Sequence, residues 1–312
     1  MRLLVTGADG FVGRHLIRRL AGAGHHLVAA CRPGRRAVDW GGTDVTVMPL
    51  ELTDDTSVRA VVESGPDAVV HLAAVASNRE AAADPGHAWT VNAAGTARLA
   101  DALSRRRQDG RGDARLLLVS SGEVYGPGLS VPRRESDPIA PATPYAASKA
   151  GAELAGLEVW RRTGLPVVIA RPFTHTGPGQ ETRFVLPAFV ERLREARATG
   201  ARTVKSGNLD PVRDLLDVRD VVEAYLLLLR SGEPGEVYNV ARGEGSSVRD
   251  LFTGLARLME VTAEAEVEAS LARASDLPHL VGDSTKLRRA TGWAPSRSLE
   301  QTLRGLVDAE AH

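Results

Sequence analysis

A single cysteine, Cys31, stands in the 312 residues, so the chain cannot close an internal disulfide and holds no cysteine pair with zinc-ligand spacing. Neither sign of charge is in excess, with 39 Lys and Arg against 39 Asp and Glu. This balance gives no electrostatic reason to expect a nucleic acid or an anionic membrane as partner. No apolar run approaches the ~18 residues of a membrane span, the scattered histidines form no metal-ligand pattern, and no internal repeat is visible. Lysine occurs only as Lys149, Lys205 and Lys286; arginine supplies the remaining positive charge, which makes each lysine more informative. What is present is ordinary for a globular protein: 43% hydrophobic residues, in a length that suits one large domain or two interlocked ones at ~100–200 residues each. Met1-Arg2 leads directly into an apolar run, so no signal peptide is expected and the expected location is cytoplasmic.

Six short apolar runs read as buried strands: RLLVTG (2–7), HLVAACR (26–32), DVTVMPL (44–50), DAVVHLAA (67–74), RLLLVSS (115–121) and PVVIAR (166–171). They lack the polar alternation of a half-exposed sheet, as expected of parallel strands covered on both faces. Helical spacing fills the gaps in FVGRHLIRRLAGAG, WTVNAAGTARLADALSRRR and PYAASKAGAELAGLEVWRRTG. The alternation predicts a doubly wound α/β fold. After Pro172 it loosens into THTGPGQETR and two further helical stretches, as expected of a smaller lobe inserted at the carboxyl end of the sheet. The charged segment 105–115 is predicted to be a solvated loop.

The first strand runs into TGADGFVG, which places Gly7, Gly10 and Gly13 in a G-x-x-G-x-x-G spacing ahead of a helix. Glycine allows the tight turn and lets backbone N–H groups approach a pyrophosphate at the helix N-terminus. This predicts a Rossmann-type dinucleotide site that includes Phe11 and Val12. The second strand ends without the Asp or Glu that accepts from an NAD ribose. It offers Arg32, Arg35 and Arg36 instead, whose guanidinium groups suit a 2′-phosphate; surface arginines of no specific role are the alternative. NADP(H) is therefore favoured over NAD(H), and Cys31 is read as a packing residue. His71, within a buried strand, is read as a core histidine.

Tyr145 and Lys149 sit at i and i+4, on one face of a helix begun by Pro144. An ammonium beside a phenol is expected to lower the phenol's pKa and tune it for acid–base exchange with a carbonyl or alcohol oxygen. Ser121, at the carboxyl end of the fifth strand, lies where ligands bind in doubly wound folds, although such a serine can equally be a turn residue.

In combination these motifs resemble the extended short-chain dehydrogenase/reductase family over nearly the whole chain. VNAAGT (91–96), ARPFTHTGPGQ (170–180), RDLLDVRDVVEAY (213–225), VYNVARGEGSSVRDL (237–251) and the tail 282–303 are similar to pieces of its nucleotide-sugar-modifying members. ARPFTHTGPGQ, VRDLLDVRD and GEVYNV look most like GDP-4-keto-6-deoxymannose reductases, which form GDP-rhamnose.

The resemblance implies a catalytic set of Ser121, Tyr145 and Lys149, with Glu123 alongside. It implies cofactor contacts from Glu51 and Leu52 at the adenine and from Leu72, Ala73 and Ala74 near the phosphates. Asn92 would support the active-site helix. For a nucleotide-diphosphate sugar it implies Ser121, Gly122, Glu123, Thr174, Arg183, Lys205 and Arg213, with Arg213 on the pyrophosphate unless it pairs with Asp217 along a helix. Thr174 departs from the family's usual asparagine. Gly122-Glu123 stands where 4,6-dehydratases usually carry Asp-Glu. The expected arrangement is an NADP-binding domain over 1–172 with a return segment at about 214–236, and a sugar-nucleotide lobe from 173–213 and 237–312. The expected activity is NADPH-dependent reduction of a 4-keto-6-deoxy sugar nucleotide. A sugar-nucleotide 4-epimerase holding NAD, a 4,6-dehydratase and a non-catalytic NADP sensor are the alternatives. Family members often pair as homodimers through the helices at 89–106 and 145–163; no metal is expected.

Overall fold

The computed structural model describes residues 1–34, 38–40, 44–128, 130–268, 271 and 277–309. Its first half alternates β1 (Arg2–Thr6), α1 (Phe11–Leu20), β2 (His26–Cys31), β3 (Val45–Pro49), α2 (Asp55–Val62), β4 (Ala68–His71), α3 (Asn78–Ala83), α4 (Pro85–Trp89), α5 (Gly95–Gln108), β5 (Arg115–Val119), α6 (Pro144–Thr163) and β6 (Val167–Pro172). The second half continues with β7 (Thr174–Thr176), α7 (Val185–Thr199), β8 (Thr203–Ser206), β9 (Val212–Asp217), α8 (Val218–Ser231), β10 (Val237–Val240), β11 (Gly245–Ser247), α9 (Val248–Leu258), β12 (Glu264–Val267), β13 (His279–Leu280), α10 (Thr285–Thr291) and α11 (Leu299–Val307).

Seven parallel strands form the main sheet in the order β10-β6-β5-β4-β1-β2-β3. The strand order reverses between β1 and β4, which opens a crevice at the carboxyl ends of these strands where ligands bind in such sheets. Alternate residues of each strand feed two separate cores: Leu3, Val5, Leu117 and Val168 pack with α1 and α8, while Leu4, Leu116, Leu118 and Ile169 pack on the opposite face with Leu99 and Val159. Burial on both faces is the reason these strands are apolar without alternation.

The six strands and three helices expected in this half are present. Helix α5 extends to Gln108, so only the end of the charged 105–115 segment is a turn. The seventh strand, β10, is four residues long and carries Asn239, and it leaves no periodic signal. It joins β6 through Tyr238↔Ala170 and its neighbours, so the chain returns to the main sheet through α8 and β10. By contrast β9 pairs with β7, β11 and β13 in a second sheet, and β8 pairs with β12. Among the described residues no helix is long and apolar enough to cross a membrane.

Helix α6 is set by its ends: Thr143 caps it by accepting from Ala146 N (3.1 Å), Pro144 occupies the first turn, and Gly164 closes it at φ +72°. A buried ion pair fastens its middle. Both oxygens of Glu153 accept from Arg171 on β6 (2.9 and 2.7 Å), the two side chains being 2% and 5% exposed as residues, and Ser120 Oγ donates to the same carboxylate. Three segments that build the crevice, α6, β6 and the residues after β5, thus meet at one carboxylate. A buried pair of this kind costs about 3–5 kcal/mol when one partner is removed, because the other charge is left uncompensated. Glu153→Leu is expected to lose stability on that scale in urea unfolding, and Glu153→Leu/Arg171→Met to recover a large part of the loss.

Candidate active site

The glycine turn follows from steric necessity. Gly7 has φ +65°, and a Cβ on it would lie 2.8 Å from Ala73 N; a Cβ on Gly13 would lie 2.5 Å from Gly7 O. The turn is pinned to β2 by Gly7 N–H donating to Ala30 O (2.9 Å). Gly10 begins α1 with no side-chain cap, which leaves the helix's first-turn N–H groups to meet an anion. This cradle of close backbone fits the pyrophosphate of a dinucleotide. Phe11 stacks on His175 at 6.3 Å between ring centroids and meets His15 edge-on at 5.3 Å. Val12, Leu72, Ala73 and Ala74 are half-buried beside the turn.

A chain of four hydrogen bonds runs beneath the turn. Thr96 Oγ1 donates to Asn92 O (2.6 Å), so it accepts from His71 Nε2 (3.1 Å); Nδ1 of His71 then accepts from Thr6 Oγ1 (2.7 Å), which itself accepts from Ala73 N (3.1 Å). Every member has a fixed direction, and burial with the nearby Lys149 charge lowers the His71 pKa to about 3. His71 is therefore a neutral core histidine, as expected from its strand. Asn92 ties the adjoining segments together: its side chain accepts from Val75 N (2.8 Å) and donates to Val75 O (3.1 Å) and to Ser148 Oγ (2.8 Å) on α6. Residues 90–94 form a single π-helical turn around it.

At the end of β2, Arg32 is exposed, and Arg35 and Arg36 lie outside the described residues. Asp9, in the glycine turn, hydrogen-bonds the half-buried Cys31 thiol, whose pKa burial and the Asp9 charge raise to about 11. Burial alone would raise Glu51, but its bonds from Thr53 N (3.1 Å) and Thr53 Oγ1 (2.9 Å), with the Arg32 and His87 charges, hold it below the usual carboxylate range. Leu52 is buried against Gly95.

Ser121, Glu123, Tyr145 and Lys149 converge at the carboxyl end of β5. Ser121 is extended and caps a short helical turn by accepting from Glu123 N (3.2 Å). Tyr145 is hydrogen-bonded to Ser121, and Lys149 Nζ donates to Val119 O. Gly122 packs so closely on Phe173 that a Cβ would lie 3.1 Å from the ring. Burial raises the Tyr145 pKa, the Glu123 carboxylate raises it further, and the Ser121 bond opposes both. The expected lowering of Tyr145 by Lys149 does not describe this structure: the ammonium is engaged by a backbone carbonyl while a carboxylate faces the phenol. Burial lowers Lys149 to about 8, with Glu153 pulling the other way.

The substrate-side candidates are spread more widely. Thr174 opens β7, half-buried, opposite Leu215. Arg183 bridges Glu80 on α3 and Glu181 (both 2.8 Å). Lys205 is exposed on the outlying β8–β12 pair, bound to Glu268 (2.9 Å), and is not brought to the Ser121–Tyr145 cluster by any of these bonds. Arg213 lies on strand β9 and donates to Val212 O (3.0 Å) and Leu277 O (2.7 Å). Its alternative as a helical partner of Asp217 is corrected by the strand geometry, and Asp217 binds Arg219 instead (2.6–2.8 Å). Next to Arg213, the buried Asp214 accepts from the backbone N–H groups of Arg242, Gly243 (both 2.8 Å) and Gly282 (3.3 Å), fixing that strand end.

Two contributors left no sequence signal as site residues. Glu153 looks like any helical glutamate until Arg171 is seen opposite it. Asn78 sits in a polar stretch, and its partner Glu123 (2.9 Å) is 45 residues away.

Residues 3–241 match the model of the NAD dependent epimerase/dehydratase family. The chain is 36% identical over 309 residues to a GDP-6-deoxy-D-mannose reductase of Pseudomonas aeruginosa, covering 98% of this chain and 96% of that one. It is 32% identical to a UDP-glucose 4-epimerase of Mycolicibacterium smegmatis, covering 99% and 98%. Among solved structures, RMD from Pseudomonas aeruginosa complexed with NADPH superposes with a TM-score of 0.82 at 35% identity, over 98% of this chain and 97% of that one. With the glycine cradle and the Ser-Tyr-Lys cluster in place, the chain belongs to the NAD dependent epimerase/dehydratase family, as a nicotinamide-cofactor enzyme of nucleotide-sugar modification.

Proposed function

We propose that the protein reduces the 4-keto group of a nucleotide-diphosphate 4-keto-6-deoxyhexose, with GDP-4-keto-6-deoxymannose as the substrate and NADPH as the reductant. The observation that carries this reading is 36% identity over 98% of the chain to a GDP-6-deoxy-D-mannose reductase, with the hydrogen-bonded Ser121 and Tyr145 in place at the carboxyl end of β5. A reductase needs a phenol that donates a proton to the carbonyl oxygen, and Tyr145, hydrogen-bonded to Ser121, presents one.

When bound, a reduced nicotinamide would supply the hydride. Tyr145 donates its proton to the carbonyl oxygen, and Ser121, hydrogen-bonded to it, holds the oxygen as negative charge develops. Lys149 presents a positive charge beneath the same pocket. Gly122, in place of the dehydratases' aspartate, leaves no acid there for expelling water. Arg32, with Arg35 and Arg36, supports NADP(H); the relative of Pseudomonas aeruginosa bound to NADPH supports the same choice. Its similarity also supports a GDP sugar. The 4-epimerase relative makes an NAD-retaining epimerase the second reading. For assembly we propose a homodimer through the α4–α6 face, where Trp89 packs on Gly151 and both Trp89 (45%) and Leu154 (61%) are exposed. A cytoplasmic location agrees with this chemistry.

The deciding assay incubates purified protein with NADPH and GDP- or dTDP-4-keto-6-deoxyhexose and follows nicotinamide absorbance and the sugar product. One NADPH oxidised per 6-deoxyhexose formed, with the GDP substrate preferred, is the expected result; tightly held NAD released on denaturation with no net oxidation would establish the epimerase. Tyr145→Phe is expected to lose about 10²–10⁴-fold in turnover while NADPH binding, read by fluorescence, stays within a few-fold.

The lowered Lys149 pKa gives a sign to pH. In the unfolded chain Lys149 keeps its proton to about 10.4, whereas the folded chain releases it near 8. Its contribution to stability therefore rises with pH between those values, because the unfolded state binds the extra proton. Turnover moves the other way: kcat/KM should fall with unit slope above about pH 8 as the ammonium is lost. A profile flat to pH 10 would remove Lys149 from the pocket's electrostatics.

A further inference from the structure

We infer that Asn78 reads the sugar hydroxyl adjacent to the carbonyl, as a substrate-binding residue that discriminates 4-keto sugars bearing a 3-hydroxyl from those lacking it. The inference rests on the reductase reading above. Asn78 is the first residue of α3, fixed there by Ser77, whose hydroxyl caps the helix by accepting from Glu80 N (3.4 Å). Its amide orientation is dictated by its neighbour. Nδ2 lies 2.9 Å from Glu123 Oε2, and a carboxylate accepts without donating, so the NH₂ side must face Glu123. The carbonyl oxygen Oδ1 then points elsewhere; it is buried, and among the described residues it has no hydrogen-bond partner.

An amide oxygen buried without a donor costs free energy, and native structures rarely leave one so. The missing partner must be a donor. It must also arrive beside Glu123, whose backbone N–H binds Ser121 Oγ and whose carboxylate faces Tyr145. Ser121 and Tyr145 are the groups proposed to hold the reacting oxygen on C4. In a 4-keto-6-deoxyhexose the two carbons flanking C4 are C3, which carries a hydroxyl, and C5, which carries the ring oxygen and the methyl group. A donor next to the carbonyl is therefore the 3-hydroxyl. Once that hydroxyl donates to Oδ1, Asn78 is satisfied on both sides, and the sugar is fixed in the plane that presents C4 to Ser121 and Tyr145.

The test compares kcat/KM of the unaltered protein and Asn78→Ala for GDP-4-keto-6-deoxymannose and its 3-deoxy analogue, with melting curves confirming that both proteins are folded. The unaltered protein should prefer the 3-hydroxy substrate by about tenfold, the worth of one such hydrogen bond. Asn78→Ala should erase most of that preference, its kcat/KM falling about tenfold further for the 3-hydroxy substrate than for the analogue, both sharing whatever the lost bond to Glu123 costs. An equal loss on both substrates would mean that Asn78 only holds Glu123 and would overturn the inference, as would an unchanged preference. If the unaltered protein oxidises NADPH with neither substrate, the reductase reading itself fails, which is a separate and recognisable outcome.

Discussion

Burial of a phenol and an ammonium at the carboxyl end of β5 is the constraint on which the site depends. Tyr145 and Lys149 occupy one face of α6. The ammonium leans on the Val119 carbonyl, and the phenol on Ser121 and toward Glu123. Desolvation disfavours charge on both, raising the tyrosine pKa and lowering that of the lysine. The pocket thus opposes the phenolate–ammonium pair suggested by helical spacing alone. In the proposed reaction the phenol, hydrogen-bonded to Ser121, gives its proton to the carbonyl oxygen.

Such a pocket needs walls that do not yield, and the surrounding polar network provides them. The Glu153–Arg171 pair binds α6 to β6, and Ser120 adds the strand end to the same carboxylate. On the cofactor side the chain from Asn92 through Thr96, His71 and Thr6 to Ala73 links α5, β4 and β1 under the glycine turn. Asn92 also reaches Ser148, one residue before Lys149. Each network draws on groups from segments distant in sequence, and Asn92 joins the cofactor side to α6, so the cofactor turn and the acid–base residues share one framework.

The strands of the main sheet were legible because double-sided burial writes itself as uninterrupted apolar runs, as in RLLLV and VVIAR. The glycine turn and the Ser121, Tyr145 and Lys149 cluster were legible because local spacing determines them. Strand β10 was not: its four residues include Asn239, whose side chain serves Tyr125 (2.7 Å) and Arg133 O (2.8 Å) rather than a pattern. Helix α5 ends at Gln108, one residue past the helical stretch read to Arg107, and takes in the start of the 105–115 segment expected to be a loop, because arginines at 105–107 suit a helix C-terminus as well as a loop. The electrostatics of Tyr145 could not be read from i and i+4, since the decisive carboxylate, Glu123, comes from another segment. Asn78 and Glu153 were hidden for the same reason, their meaning lying in partners 45 and 18 residues away.

The protonation state of Tyr145 in the free protein is the most direct quantity to measure. Difference absorbance near 295 nm between the unaltered protein and Tyr145→Phe, followed across pH, isolates one phenol. No tyrosinate signal from Tyr145 is expected below about pH 10, the ordinary tyrosine value, because burial and Glu123 both raise it. A Tyr145 phenolate appearing near neutral pH would contradict the proton-donor role and favour an enzyme that begins by oxidising its sugar.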